Sequence, residues 1–100
     1  MRVIMIEPGG WGGICHYTYN LSEALAKLGL PVALVTSQSY ELDTLSSSFE
    51  IHRVLDTSGS YLKNLREISR VVSDFNGDIL HIQATLSVRK DWAAIAAMKP

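Results

Sequence analysis

One cysteine, Cys15, stands in a chain of 100 residues. That excludes an internal disulfide and any paired-cysteine metal site, and it makes a reducing compartment the natural setting. Basic runs are absent as well: nine Lys and Arg against ten Asp and Glu leave a net charge of −1. Affinity for nucleic acid rests on clustered basic side chains, so no nucleic-acid partner is expected. No apolar run approaches the roughly 18–20 residues that span a bilayer. Val3-Ile4-Met5-Ile6 is too short for the core of a secretion signal and runs straight into Glu7 and Pro8. A cytoplasmic protein is expected. Peripheral contact with a membrane surface is compatible with this composition, although no basic amphipathic helix is present.

What is abundant is glycine in one place. Gly9, Gly10, Gly12 and Gly13 fill four of five positions around Trp11, against a usual glycine frequency of about 7%. The stretch separates an apolar run, Arg2 to Ile6, from an amphipathic one, Ile14 to Leu28. A buried strand, a glycine turn and a helix start in that order make an expected anion corner. The turn lets another molecule approach the backbone, and the helix presents free N–H groups and the positive end of its dipole.

The rest of the chain reads as a scaffold for that corner. With 47% apolar and 19% charged residues, it has the composition of an ordinary globular domain. The first helix is expected to bury Ile14, Tyr17, Leu21, Leu25 and Leu28, with His16, Asn20, Glu23 and Lys27 outside. Gly29 should end it, with Pro31 beyond. Pro31 to Thr36 reads as a second buried strand. Serine-rich 37–48 reads as loop, with a short helical turn around Leu42 to Leu45. Phe49 to Leu55 alternates and reads as an edge strand with Phe49, Ile51, Arg53 and Leu55 on one side. Tyr61 to Phe75 carries a stripe of Tyr61, Leu65, Ile68, Val72 and Phe75, with Ser58 or Ser60 as a cap and Asn76-Gly77 as its end. Asp78 to Gln83 is a fourth strand. Ser87 opens a last helix through Val88, Trp92, Ile95 and Met98, stopped by Lys99-Pro100.

The order β-α-β-β-α-β-α predicts a Rossmann-like α/β fold: a parallel sheet with helices on both faces. Right-handed crossovers give the strand order 3-2-1-4, with the glycine loop at the switch point, where ligands of such sheets bind. The chain stops where a fifth strand should begin, so an interrupted single domain over residues 1–100 is expected.

Three phosphate-binding patterns compete for the glycine loop. A P-loop needs Gly-Lys-[Ser/Thr] at its end, and no Lys follows any glycine here. A dinucleotide fingerprint needs a third glycine or small residue and an acid after strand two. Cys15 stands at the first place, and Thr36-Ser37-Gln38 at the second. An NAD-type oxidoreductase domain and a stand-alone nucleotide- or phosphate-binding module therefore remain as alternatives.

The third pattern is a resemblance. Pro8-Gly9-Gly10-Trp11-Gly12-Gly13-Ile14, followed by Leu21-Ser22-Glu23-Ala24-Leu25 and Gly29, then Val32-Ala33-Leu34-Val35-Thr36 and Asp78-Ile79-Leu80-His81-Ile82-Gln83, resembles the N-terminal domain of family 4 glycosyltransferases of the GT-B fold. Together these motifs cover nearly the whole chain. The resemblance implies one acceptor-side half of a retaining, hexosyl-transferring enzyme, inactive without the second domain that holds the nucleotide-sugar. It implies a sugar or lipid acceptor, and no cofactor beyond that donor substrate. Gly12 and Gly13 are then expected at the donor phosphates. Trp11, His16, His81, Gln83 and Thr85 are candidates for the acceptor, Trp11 by stacking on a ring and the others by touching hydroxyls. The catalytic residues are expected beyond Pro100. The absence of an Asp-x-Asp triplet agrees with metal-independent transfer.

Tyr17 and Trp92 fit packing roles. Cys15 has no base supplied to it by any motif and reads as a small helix residue. His52 is expected on the exposed edge.

Overall fold

The computed structural model describes residues 1–42, 47–56 and 61–82, with the side chain of Tyr61 excepted. Beyond Leu42, the expected turn around Leu42 to Leu45 lies outside the described residues, as do the Ser58 or Ser60 cap and everything from Gln83 onward.

Strand β1 (Val3–Glu7) is buried at every position and forms the middle of the sheet. It is followed by helix α1 (Gly12–Lys27), strand β2 (Val32–Ser37), strand β3 (Glu50–Leu55), helix α2 (Tyr61–Phe75) and strand β4 (Ile79–Ile82). The strands form one sheet in the order β3-β2-β1-β4. Every pairing is parallel, with Val3 opposite both Val32 and Ile79. This is the expected 3-2-1-4 Rossmann-like arrangement, with β3 at an edge. A continuous apolar strand needs cover on both faces. Here α1 covers Val3, Met5, Val32 and Leu34, and α2 covers Ile4, Ile6, Ala33 and Val35.

Helix α2 follows its sequence pattern. Ile68, Val72 and Phe75 are buried as expected, joined by Val71 and Asn64. Its end differs in detail: Asn76, and not Gly77, takes the left-handed conformation, at φ 56°. Helix α1 closes as expected at Gly29, φ 92°. The N–H of Gly29 reaches the Ala26 carbonyl at 2.9 Å, and that of Leu30 reaches Leu25 at 3.2 Å, the paired bonds of a Schellman end.

Two expectations fail. Helix α1 buries Cys15, Thr18 and Ser22, whereas Ile14, Tyr17 and Leu28 are 52%, 62% and 78% exposed. Leu21 and Leu25 of the expected stripe pack half-buried against the core, while its other three members are turned to one flank and small residues meet the sheet. Tyr19 packs edge-on to Phe49, with ring centroids 5.6 Å apart, and Glu23 accepts the Ser48 N–H. Those two contacts hold the opposite flank toward β3. The Ile14–Tyr17–Leu28 flank therefore lies on the β4 side, where Ile79 is also exposed.

The second correction concerns β3. Its register to β2 shifts between Thr36 and Ser37, so that Ser37 pairs with Leu55. Phe49 and Ile51 pack on the α1 side, and the shift turns Leu55 to the α2 side. The expected single face of Phe49, Ile51, Arg53 and Leu55 is broken by this irregularity. His52, expected exposed, is half-buried, with Glu50 3.6 Å away.

Candidate functional site

The glycine loop leaves the carboxyl end of β1 at the centre of the sheet. Glu7 is the last residue of that strand and only 2% exposed. A buried carboxylate is costly unless it is hydrogen-bonded. Glu7 meets that need locally: its carboxylate accepts the N–H of Gly9 at 2.7 Å and of Gly10 at 2.9 Å. This closes the turn and consumes two of the loop's donors.

The loop also packs against the segment after β2. Gly10 has φ 77°, and a Cβ there would stand 2.8 Å from the Ser37 Cβ, so both conformation and space require glycine. The Gly10 carbonyl accepts the Glu41 N–H at 2.7 Å.

Helix α1 begins at Gly12, φ 81°, behind an N-cap residue, Trp11, that makes no side-chain cap bond. The cap comes from elsewhere. The Glu41 carboxylate accepts the Gly12 N–H at 3.1 Å, and the same oxygen lies 2.8 Å from His16 Nε2. A carboxylate at this end also meets the favourable end of the helix dipole.

Beside this start lies an open pocket of about 300 Å³, at the small end of the roughly 300–1,000 Å³ usual for ligand sites. Pro8, Trp11 and Ile14 form mostly apolar walls, with Glu7, Gly12 and Gly13 between them. The Trp11 ring is 74% exposed, an aromatic face free to stack on a ring. A Cβ at Gly13 would meet nothing within 4 Å. Its N–H, one of the first-turn groups that have no partner within the helix, donates to no other backbone group among the described residues.

Beneath the first turn sits Cys15, 1% exposed. Burial, followed by the nearby Glu7 and Glu41 charges, pushes its thiol pKa up to about 11. Such a thiol is a poor nucleophile at neutral pH. Tyr40 beside it is raised as well, first by its own burial and then by Cys15.

Among the expected site residues, the structure brings Trp11, Gly12 and Gly13 to one pocket. His16 joins them through Glu41. His81 is exposed on β4 in register with Met5 and is not part of the pocket wall. Gln83 and Thr85 lie outside the described residues. Tyr17, expected in the core, stands exposed.

Two contributors were missed by sequence reasoning. Glu7 carries a signal in retrospect: it is an acid ending an otherwise apolar strand, two and three residues before glycines whose N–H groups it can reach. Glu41 carries none, because its bond to Gly12 spans 29 residues. Among the described residues no group of three His, Cys, Asp or Glu is placed to hold a metal, and no helix is long and apolar enough to cross a membrane.

Comparison with protein families finds one described as glycosyl transferase 4-like, matched over residues 9–100. Comparisons with curated proteins and with solved structures return no match.

Proposed function

The chain belongs to the glycosyl transferase 4-like family, and from that premise we propose that it forms the acceptor-side half of a retaining glycosyltransferase. A sugar passes from a nucleotide-sugar to an acceptor hydroxyl. The nucleotide is held by a second α/β domain, so the 100-residue chain alone is inactive. No metal or cofactor is required.

The observation that carries this reading is the pocket at the start of α1. It opens at the carboxyl end of the central strand, where β2 and β4 flank β1, and ligands of doubly wound sheets bind at such points. Gly13 supplies an open backbone N–H for a donor phosphate oxygen, and Gly12 stands beside it. Preorganised N–H groups and a helix dipole stabilise the charge that develops on a leaving diphosphate. Trp11 offers its face to an acceptor ring, and His16 stands at the rim. His81, Gln83 and Thr85 belong to the acceptor side in this reading.

The test is sugar transfer by a polypeptide that joins this chain to a second α/β domain. It is assayed against UDP- and GDP-sugars with simple alcohol acceptors. Nucleoside diphosphate release and the anomeric configuration of the product are measured. Retained configuration, with no turnover by the chain alone, is expected. Inverted product, or equal turnover by the chain alone, contradicts the proposal.

A further inference from the structure

A second hollow lies where β1, β2 and β3 begin, at the end of the sheet opposite the glycine corner. It measures about 410 Å³, with Arg2, Ser47, Ser48 and Glu50 in its walls and Phe49 among its apolar groups. A smaller hollow of about 100 Å³ shares Arg2, Glu50 and Phe75 with it and adds His52 and Asp74. The larger one falls within the roughly 300–1,000 Å³ usual for ligand sites.

Two polar groups in these walls have donors or acceptors to spare. Arg2 is half-buried. Its Nε–H donates to the Phe75 carbonyl at 2.6 Å, and its guanidinium lies 4.2 Å from the centre of the Phe75 ring. Those contacts fix the plane of the group and leave both Nη atoms without an acceptor among the described residues. His52 Nε2 is buried and also has no hydrogen-bond partner among them. The Glu50 carboxylate stands 3.6 Å from it, beyond normal hydrogen-bond reach. Buried polar atoms are normally paired, so unpaired groups of both kinds around one hollow mark a place for a polar ligand.

We propose that this hollow is a second binding site, for a neutral polyhydroxyl compound the size of a mono- or disaccharide. The charges in the walls select that class. An anion would meet Glu50 and Asp74, and a cation would meet Arg2. A hydroxyl group both donates and accepts, so one polyol can accept from Arg2 Nη, donate to Glu50 and pair with His52 Nε2. Ser47 adds to this set: its hydroxyl donates to the Phe49 carbonyl at 3.0 Å and keeps its lone pairs for a ligand hydroxyl. Asp74 is drawn toward Arg70, 3.7 Å away, which leaves Glu50 as the main carboxylate acceptor. The site is independent of the glycine corner and of the transfer reaction proposed there, because it shares no residue with that pocket.

The experiment is an amide NMR titration of the 100-residue chain with methyl α-D-glucopyranoside and with maltose, and in parallel with acetate and with methylammonium. Saturable shifts are expected at Arg2, Ser48, Glu50 and His52 with the two sugars and not with the two ions. Glu50→Ala, at an exposed strand edge, should weaken sugar binding about tenfold, the order of one hydrogen bond to a charged group. Arg2→Met, which keeps a long side chain on Phe75 and loses the Nη donors, should weaken it similarly. If that variant folds poorly, Glu50→Ala alone decides. No saturable response to either sugar, the same affinity in Glu50→Ala, or a response to acetate or methylammonium instead overturns the site. Sugar-dependent shifts confined to Trp11, Gly12 and Gly13 also overturn it, while leaving the reading of the glycine corner intact.

Discussion

Gly10 and Gly13 are three residues apart and respond to substitution in opposite ways. Gly10 combines φ 77° with a Cβ position 2.8 Å from Ser37. Gly10→Ala therefore strains the backbone and pushes apart the two loops that frame the corner, and a loss of about 1–3 kcal/mol is expected in denaturant unfolding. Gly13 has an ordinary helical backbone and open space. Gly13→Ala should leave stability unchanged or raise it by up to about 1 kcal/mol, while a methyl group beside the proposed phosphate weakens pyrophosphate binding. A variant that is both stable and weaker-binding separates a ligand role from a packing role. Cys15 gives a pH prediction. Its pKa is raised from 9.0 to about 11 in the folded chain, so the folded state favours the thiol. That contribution to stability is complete below pH 9 and is lost as the pH rises toward 11. Melting temperatures measured across this window should fall, and Cys15→Ala should fall less steeply. Some loss persists because Tyr40 is raised as well.

At the scale of elements, α1 carries the main lesson. Thr18 and Ser22 are fully buried, and the Thr18 hydroxyl donates to the Ile14 carbonyl at 2.7 Å. Small side chains let the helix lie close to the sheet. Ser22→Leu should overpack that contact and cost about 1–3 kcal/mol. Tyr17→Ser, on the exposed flank, should stay within about 0.5 kcal/mol. A periodicity of apolar residues predicts the reverse, and chemical denaturation of the two variants distinguishes them. Apolar spacing located the helix and its Gly29 end correctly, and Leu21 and Leu25 of the expected stripe do pack against the core, but it centred the buried face wrongly, because Ile14, Tyr17 and Leu28 outweigh Cys15, Thr18 and Ser22 in hydrophobicity. In α2 the apolar stripe and the core agree, since Ile68, Val72 and Phe75 have no small-residue competitor. There the sequence hid Val71 and Asn64, and Leu65 of the stripe is only half-buried. The Asn64 side chain accepts the Asp56 N–H at 2.9 Å and donates to the Asp56 carbonyl at 2.6 Å. Asn64→Ala removes both bonds from a buried position and should cost about 1–3 kcal/mol.

At the scale of the whole molecule, strand order and the place of the glycine loop were legible from the alternation of strands and helices, because crossover handedness leaves few topologies. Glu41 was not legible, since tertiary folding alone returns it to Gly12. The fold places an open backbone position, Gly13, between an exposed tryptophan and a helix start already capped by a remote carboxylate. In the proposed reaction, sugar transfer passes over this position. The most direct measurement is kcat/KM for sugar transfer by the two-domain polypeptide, compared between the wild type and Gly13→Val, with the melting temperature of each. A fall of at least about tenfold at an unchanged melting temperature is predicted, equivalent to about 1.4 kcal/mol of lost transition-state binding. Wild-type turnover in a stably folded Gly13→Val protein would contradict it.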